Sequence, residues 1–230
     1  MNQIHKYNKS SEKKRIFIVG DHAMFRDGLQ QLIDMEADLT VCGDAAEATN
    51  ALEGISKSEP DLVIVEITLC GKSGIELIKV IKDEYEDVPV LVVSMHEESL
   101  CAERALRAGA MGYVMQQEPA KVMKTAIRKV LAGKIHLSEK MAGSVILKCM
   151  RGANKLPPSP LEMLSDRELE VFWMLGLGKK VRQIAEEMSM CISSINTFRD
   201  RIRKKLQLSS SREVMLHAFH WSCEAPRQRN

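Results

Sequence analysis

Pro60-Asp61-Leu62-Val63-Ile64-Val65-Glu66-Ile67-Thr68-Leu69-Cys70-Gly71-Lys72-Ser73-Gly74-Ile75-Glu76-Leu77 decides the fold. Its centre, Leu62 to Val65, is an unbroken apolar run. A strand with one wet face alternates apolar and polar residues; an unbroken run is covered on both faces, as in a parallel sheet between helices. Beyond the Gly71-Lys72-Ser73-Gly74 loop the spacing changes to that of a helix, with Ile75, Leu77, Ile78 and Ile81 on one side. Glu66 closes the strand, so its carboxylate emerges where open α/β sheets form their ligand and reaction sites. Two readings stand at this point: a functional acid, or an acid that caps a strand and meets water.

Working outward, the same pair of periods recurs. Strands are predicted at 15–19, 39–43, 61–67, 88–95 and 112–115, each followed by a helical pattern, at 22–36, 46–57, 74–85, 98–107 and 119–132. Five βα units with unbroken apolar strands predict a doubly wound α/β domain. After Gly133 a helix is predicted at 138–150, followed by Arg151 to Pro160, where Pro157, Pro158 and Pro160 exclude helix or sheet interior and mark a semi-extended linker. Residues 161–224 read as all-helical. Ser165-Asp166-Arg167-Glu168 is a capping-box signature for the first of four helices, and Gly176 or Gly178 can end that helix.

The apolar fraction of 45% and charged fraction of 28% are those of an ordinary globular protein. A net charge of +2 is too small to imply a nucleic-acid partner by itself, so local charge must make that case. No apolar run is long enough for a membrane span. The polar, lysine-rich start, MNQIHKYNKSSEKK, lacks the apolar core of a secretory signal and reads as a disordered lead. Cys42, Cys70, Cys101, Cys149, Cys191 and Cys223 form no CxxC pair, and their spacing suits neither a zinc site nor a disulfide framework. Reduced thiols in a cytoplasm are expected, with Cys70 and Cys101 as small apolar fillers.

The helix starting near Ile192 carries the local charge. Ile192, Ile195, Phe198, Ile202 and Leu206 recur at steps of three and four and predict a packed stripe. Ser193, Asn196, Thr197, Asp200, Arg203 and Lys204 fall on the polar side, flanked by Arg199 and Arg201. A short helix, a tight turn and a second helix of this composition suit the major groove of double-stranded DNA, with Asn and Thr reaching base edges and Arg and Lys holding phosphates. Charge alone leaves a solvated basic face as an equal alternative.

The wider pattern favours DNA. Leu164-Ser165-Asp166-Arg167-Glu168-Leu169-Glu170-Val171, Gly178, Ile184-Ala185-Glu186, Ser193-Ser194-Ile195-Asn196-Thr197-Phe198-Arg199, Ile202 and Lys205-Leu206 resemble the LuxR-type helix-turn-helix. Two departures stand out. Lys180 and Val181 replace the residues that usually cap the second helix. An acid, Asp200, occupies a base-reading position, where it repels phosphate yet can accept from cytosine N4.

The first half, through RIFIVGDHAMFRDGL, PDLVIVEITLCGKSGIEL, VLVVSMHEES and RALRAGAMGYVMQ, resembles a receiver of the NarL/FixJ type. Receivers take a phosphoryl group on an aspartate at the end of the third strand. Two acids hold Mg²⁺, a hydroxyl binds a phosphoryl oxygen and a lysine neutralises the charge. The resemblance places Gly20-Asp21 at the acid pair, Glu66 at the nucleophile, Ser94 at the hydroxyl, Gln116 at the lysine, Tyr113 at the aromatic switch and Cys70 at a loop proline. Three of the parts that phosphotransfer needs are altered: the acid pair, the nucleophile and the lysine. Glu extends the carboxylate by ~1.5 Å, more than a reaction geometry tolerates. Losing an acid weakens Mg²⁺ binding, and Gln116 brings no charge.

The expectation is a flavodoxin-like (βα)₅ receiver-like domain at 14–134, between a lead at 1–13 and a helix with proline-rich linker at 135–160, then an all-α four-helix helix-turn-helix domain at 161–224 and a tail at 225–230. The expected protein is a cytoplasmic, homodimeric transcription regulator that is not an enzyme. It uses no cofactor and is not switched by aspartyl phosphorylation. Glu66 is either a relic or a constitutive mimic that holds Tyr113 inward through Ser94 or Gln116; a protein partner on the receiver is a third input. His22 and His96 are given structural roles. The alternative function is a partner-titrating module that binds DNA poorly. A nucleotide-using α/β enzyme is disfavoured, since Gly20-Asp21-His22 after the first strand carries no phosphate-binding glycine motif.

Overall fold

The structure, a computed structural model, describes residues 13–69, 73–95, 98–151 and 160–224. The expected lead and tail, the Cys70 loop, His96 and most of the proline linker therefore lie outside the described residues. Five parallel strands, β1 (Lys14–Val19), β2 (Leu39–Ala45), β3 (Leu62–Glu66), β4 (Val90–Ser94) and β5 (Gly112–Met115), stand in the order β2-β1-β3-β4-β5. The helices α1 (Ala23–Asp34), α2 (Ala48–Ser58), α3 (Gly74–Glu84), α4 (Glu98–Arg107) and α5 (Ala120–Leu131) alternate with them.

Successive strand residues point to opposite faces, and both faces are apolar. Ile16, Ile18, Leu62, Ile64, Leu91 and Val93 pack with Leu29 and Ile33 of α1 and Ile127 and Val130 of α5. Phe17, Val63, Val65 and Val92 pack on the other side with Ile55 of α2, Ile78 and Ile81 of α3 and Ala102 of α4. Hence the unbroken apolar runs. The strand ends are shorter than the runs implied: Met95 is exposed and outside β4.

Register aligns the strand ends. Val19 pairs Val65, Glu66 pairs Val93, and Ser94 pairs Met115. The order reverses between β1 and β3, so a crevice opens beyond their carboxyl ends, where Gly20, Asp21 and Glu66 meet. Gly74 lets α3 start hard against this end: a Cβ there would lie 2.2 Å from the Glu66 carbonyl oxygen.

Helix α6 (Glu139–Arg151) leads out of this layer. Pro160 opens a short 3₁₀ turn, Pro160–Met163, rather than extending the linker; proline is tolerated at a first helical position. Then come α7 (Asp166–Gly176), α8 (Val181–Glu187), α9 (Ile192–Lys205) and α10 (Ser211–Glu224). The capping box at α7 is present: Ser165 Oγ accepts from the Glu168 N–H, and Glu168 Oε2 accepts from the Ser165 N–H at 2.7 Å. Gly178, with φ +77°, makes the left-handed turn that follows α7. Glu168 Oε2 also accepts from Lys205 Nζ at 2.6 Å, tying the end of α9 to the start of α7. Burial works to raise the Glu168 carboxyl, but Lys205 and the Ser165 N–H prevail and hold it below the usual range.

Candidate functional site

Two places gather the residues singled out by sequence. The first is the crevice between β1 and β3. Glu66 is only 2% exposed, so the fold decides against an acid that meets water. Gln116 Nε2 donates to Glu66 Oε1 at 2.7 Å, and Glu66 Oε2 has no hydrogen-bond partner. A Cβ added to Gly20 would lie 2.8 Å from Glu66 Oε2 and 2.9 Å from the Phe25 ring. The lengthened acid and the missing side chain thus fit one another. Burial, then the charge of Asp21, push the Glu66 carboxyl up to about 7, against the pull of Gln116 and His22.

Asp21 Oδ1 forms an ion pair with His22 Nδ1. Arg26 donates to the Gly20 carbonyl at 2.7 Å and to Asp44 at 2.6 Å, which fixes the turn after β1. Sequence reasoning missed both Arg26 and this orientation of His22, which it treated as structural. One helical turn between Arg26 and His22 was the signal available.

Ser94 and Tyr113 are buried one step away and hydrogen-bond one another. Tyr113 also bonds Cys101, so Cys101 is more than a filler. Burial raises the Tyr113 hydroxyl well above its ordinary range, so it stays protonated. Of the two contacts considered for Glu66, that with Gln116 forms.

The second place is α9. Ile195 and Ile202 are buried, with Phe198 and Leu206 packed against the same core. Ile192 departs from the expected stripe: it sits in the first turn, half its surface open. Ser193, Thr197, Asp200 and Lys204 are exposed, while Asn196, Arg199 and Arg203 are half-buried. Thr197 Oγ1 donates to the Ser193 carbonyl at 2.9 Å. Asp200 stands 3.9 Å from Arg203, a loose pair that leaves both reachable. At α8 the Lys180 ammonium cannot accept a hydrogen bond, so the cap is half made: Gln183 Oε1 accepts from the Lys180 N–H at 2.9 Å.

The sheet domain meets the start of α7. Arg104 donates to Asp166 at 3.0 Å and to the Leu161 carbonyl at 2.8 Å, and Lys79 lies 3.7 Å from Asp166. Ile67, Ser73, Ile75 and Cys101 face Leu169, Glu170 and Trp173 across this contact. Glu170, bonded to Arg167 at 2.9 Å, is pushed up to about 7 by burial.

The family described as "Response regulator receiver domain" matches residues 16–128, and that described as "Bacterial regulatory proteins, luxR family" matches residues 162–218. Response regulator GacA of Pseudomonas viridiflava is 30% identical over 204 residues, covering 89% of this chain and 94% of the relative. Oxygen regulatory protein NreC of Staphylococcus carnosus is 26% identical over 209 residues, covering 89% and 96%. Among solved structures, a LuxR-family two-component response regulator from Aurantimonas sp. SI85-9A1 aligns with TM-score 0.56 and 31% identity, over 60% of this chain and 99% of that one. RcsB from Salmonella enterica serovar Typhimurium bound to promoter P1flhDC aligns with TM-score 0.61, over 90% and 98%; at 18% identity that likeness is one of fold.

Proposed function

This chain belongs to the response regulators that join a receiver to a LuxR-type DNA-binding domain, and we propose that its acid pocket is held in one state by its own side chains rather than switched by aspartyl phosphorylation. The family is one of DNA-binding transcription regulators. The observation that carries the proposal is the fit of Glu66 into the space beside Gly20, with Oε1 held by Gln116. Attack on phosphorus needs a mobile, charged carboxylate oxygen with a metal and a cation to spread the phosphoryl charge. Here the acid is longer, buried and hydrogen-bonded, one metal-holding acid is absent, and the cation is an amide. The arrangement is a constitutive mimic: Gln116 bonds Glu66, and Tyr113 stays inward on Ser94 and Cys101.

The units at work are the receiver-like residues 14–134 and the helix-turn-helix residues 161–224. In the second, α9 enters the major groove. Ser193, Asn196 and Thr197 read base edges, Asp200 accepts from cytosine, and Arg199, Arg203 and Lys204 hold phosphates. The protein acts in the cytoplasm as a homodimer on paired half-sites. Exposed Met215, Leu216 and Phe219 on α10 supply an apolar face for the second copy. The open carboxylate of Asp200 and the half-made cap of α8 favour a second reading, a partner-titrating module with weak DNA binding.

Intact-mass measurement after incubation with acetyl phosphate and Mg²⁺ tests the first proposal. No phosphoryl adduct is expected, and a stoichiometric adduct overturns it. A gel shift against the chain's own promoter region, repeated at several salt concentrations, separates the two readings: specific, salt-dependent retardation supports the regulator.

A further inference from the structure

The altered pocket has a property that loss of phosphotransfer does not explain. Asp21, His22 and Glu66 each bring one potential metal-ligand atom to a common point, all within 4.8 Å of one another. We propose that these three residues bind a borderline divalent metal ion of the zinc or cobalt class through mixed nitrogen and oxygen ligands.

The donor set departs from the all-oxygen site that two acids and an aspartate give Mg²⁺ in receivers. Gly20 removes one oxygen donor, and the space is filled by Glu66 Oε2, so an acid at position 20 and Glu66 exclude one another. In place of the lost oxygen stands an imidazole nitrogen, His22 Nδ1, against Asp21. Imidazole suits Zn²⁺, Co²⁺ and their neighbours, whereas Mg²⁺ takes near-octahedral oxygen. Ligands at roughly 2.1 Å from such an ion stand about 3.4 Å apart in a tetrahedron, so the direct contact between His22 and Asp21 opens to admit the ion while the three ligand atoms, all within 4.8 Å of one another, settle around it.

Two further observations point to a cation. Glu66 is 98% buried, as its 2% exposure gives, with Oε1 held by Gln116 and Oε2 unpartnered and aimed at this group. A buried carboxylate oxygen beside a second carboxylate calls for a proton or a positive ion. Neutral Gln116 supplies no charge, and Arg26 directs its donors to the Gly20 and Asp21 carbonyls and to Asp44. The Gln116 bond fixes the liganding carboxylate from behind, the usual arrangement around a bound metal. His22, with its side chain 64% exposed, leaves one side open for entry and for water as a fourth ligand.

The inference rests on the reading that the pocket takes no phosphoryl group, and the two fail separately: an acyl-phosphate adduct overturns that reading, while the titration below bears on the metal alone. Chelator-treated full-length protein is titrated with Co²⁺, followed by visible absorption and calorimetry, beside His22→Ala and Glu66→Gln. His22→Ala alters an exposed side chain and tests the site without disturbing the core. One equivalent is expected to bind with the d–d absorption of nitrogen and oxygen ligands and no sulfur-to-cobalt charge transfer. Each variant should weaken binding at least tenfold, and Mg²⁺ in tenfold excess should not displace Co²⁺. Equal affinity in both variants, a thiolate band at the first equivalent, or displacement by Mg²⁺ would overturn the proposal.

Discussion

The acid pocket and helix α9 both depart from a family pattern, and they depart from it differently. In the pocket three coupled changes, Gly20, Glu66 and Gln116, fit one another in space and hydrogen bonding, and on the function proposed above they remove the phosphotransfer chemistry. On α9 the outward face keeps its polar and cationic character despite Asp200. A reaction centre depends on the position of single oxygen atoms, where ~1 Å is decisive. A phosphate-holding face depends on summed charge, which one acid reduces without abolishing.

The comparison breaks if DNA binding proves to depend on the pocket more than on α9. The largest effect is expected from Arg199→Ala with Arg203→Ala. Duplex affinity should fall by roughly 10- to 100-fold and the salt slope by about 2, one for each lost phosphate contact, measured by fluorescence anisotropy at several salt concentrations. Gly20, Glu66 and Gln116 variants should shift the same curves by less than about twofold on this scale.

Next in size is Lys205→Ala, which leaves the buried Glu168 carboxylate without its ammonium partner. A loss of roughly 1.5–3 kcal/mol is expected in urea unfolding at pH 7. The folded value of Glu168 is depressed, so its contribution is present above the unfolded value and lost as pH falls through the folded one. The variant should therefore lose less on acidification than the parent.

Glu66→Gln sharpens the comparison from the pocket side. The folded carboxyl is raised to about 7, so its favourable contribution is fully present below the unfolded value and disappears as pH rises through about 7. In chelator, the variant should match the parent near pH 5 and exceed it at pH 8 by about 1–3 kcal/mol. Equal pH profiles would contradict the buried, charge-crowded environment assigned to Glu66. The smallest effect belongs to Asp200→Asn: removing one exposed acid should tighten non-specific duplex binding by about two- to fivefold and relax any preference for cytosine.

Much of this was legible in the chain. Unbroken runs such as Leu62 to Val65 reported a sheet covered on both faces, and Ser165 with Glu168 reported the start of α7, because both signals are local. The packed stripe of α9 was legible for the same reason, apart from Ile192, whose place in the first turn leaves its side chain beyond the packed core. What could not be read was the packing between distant residues. Glu66 and Gln116 are fifty positions apart, and the fit of Glu66 beside Gly20 appears only when β1 and β3 pair. The Arg104–Asp166 contact and the turn of His22 onto Asp21 likewise depend on tertiary placement, which residue types at those positions leave open.

The most direct test of the account treats the parent and the triple revertant Gly20→Asp, Glu66→Asp, Gln116→Lys with acetyl phosphate and Mg²⁺, and reads intact mass and duplex affinity on the same samples. The parent is expected to show no adduct and unchanged affinity, while the revertant gains a phosphoryl group. A stoichiometric adduct on the parent, with a change in its DNA affinity, would contradict the claim that this receiver works without phosphotransfer.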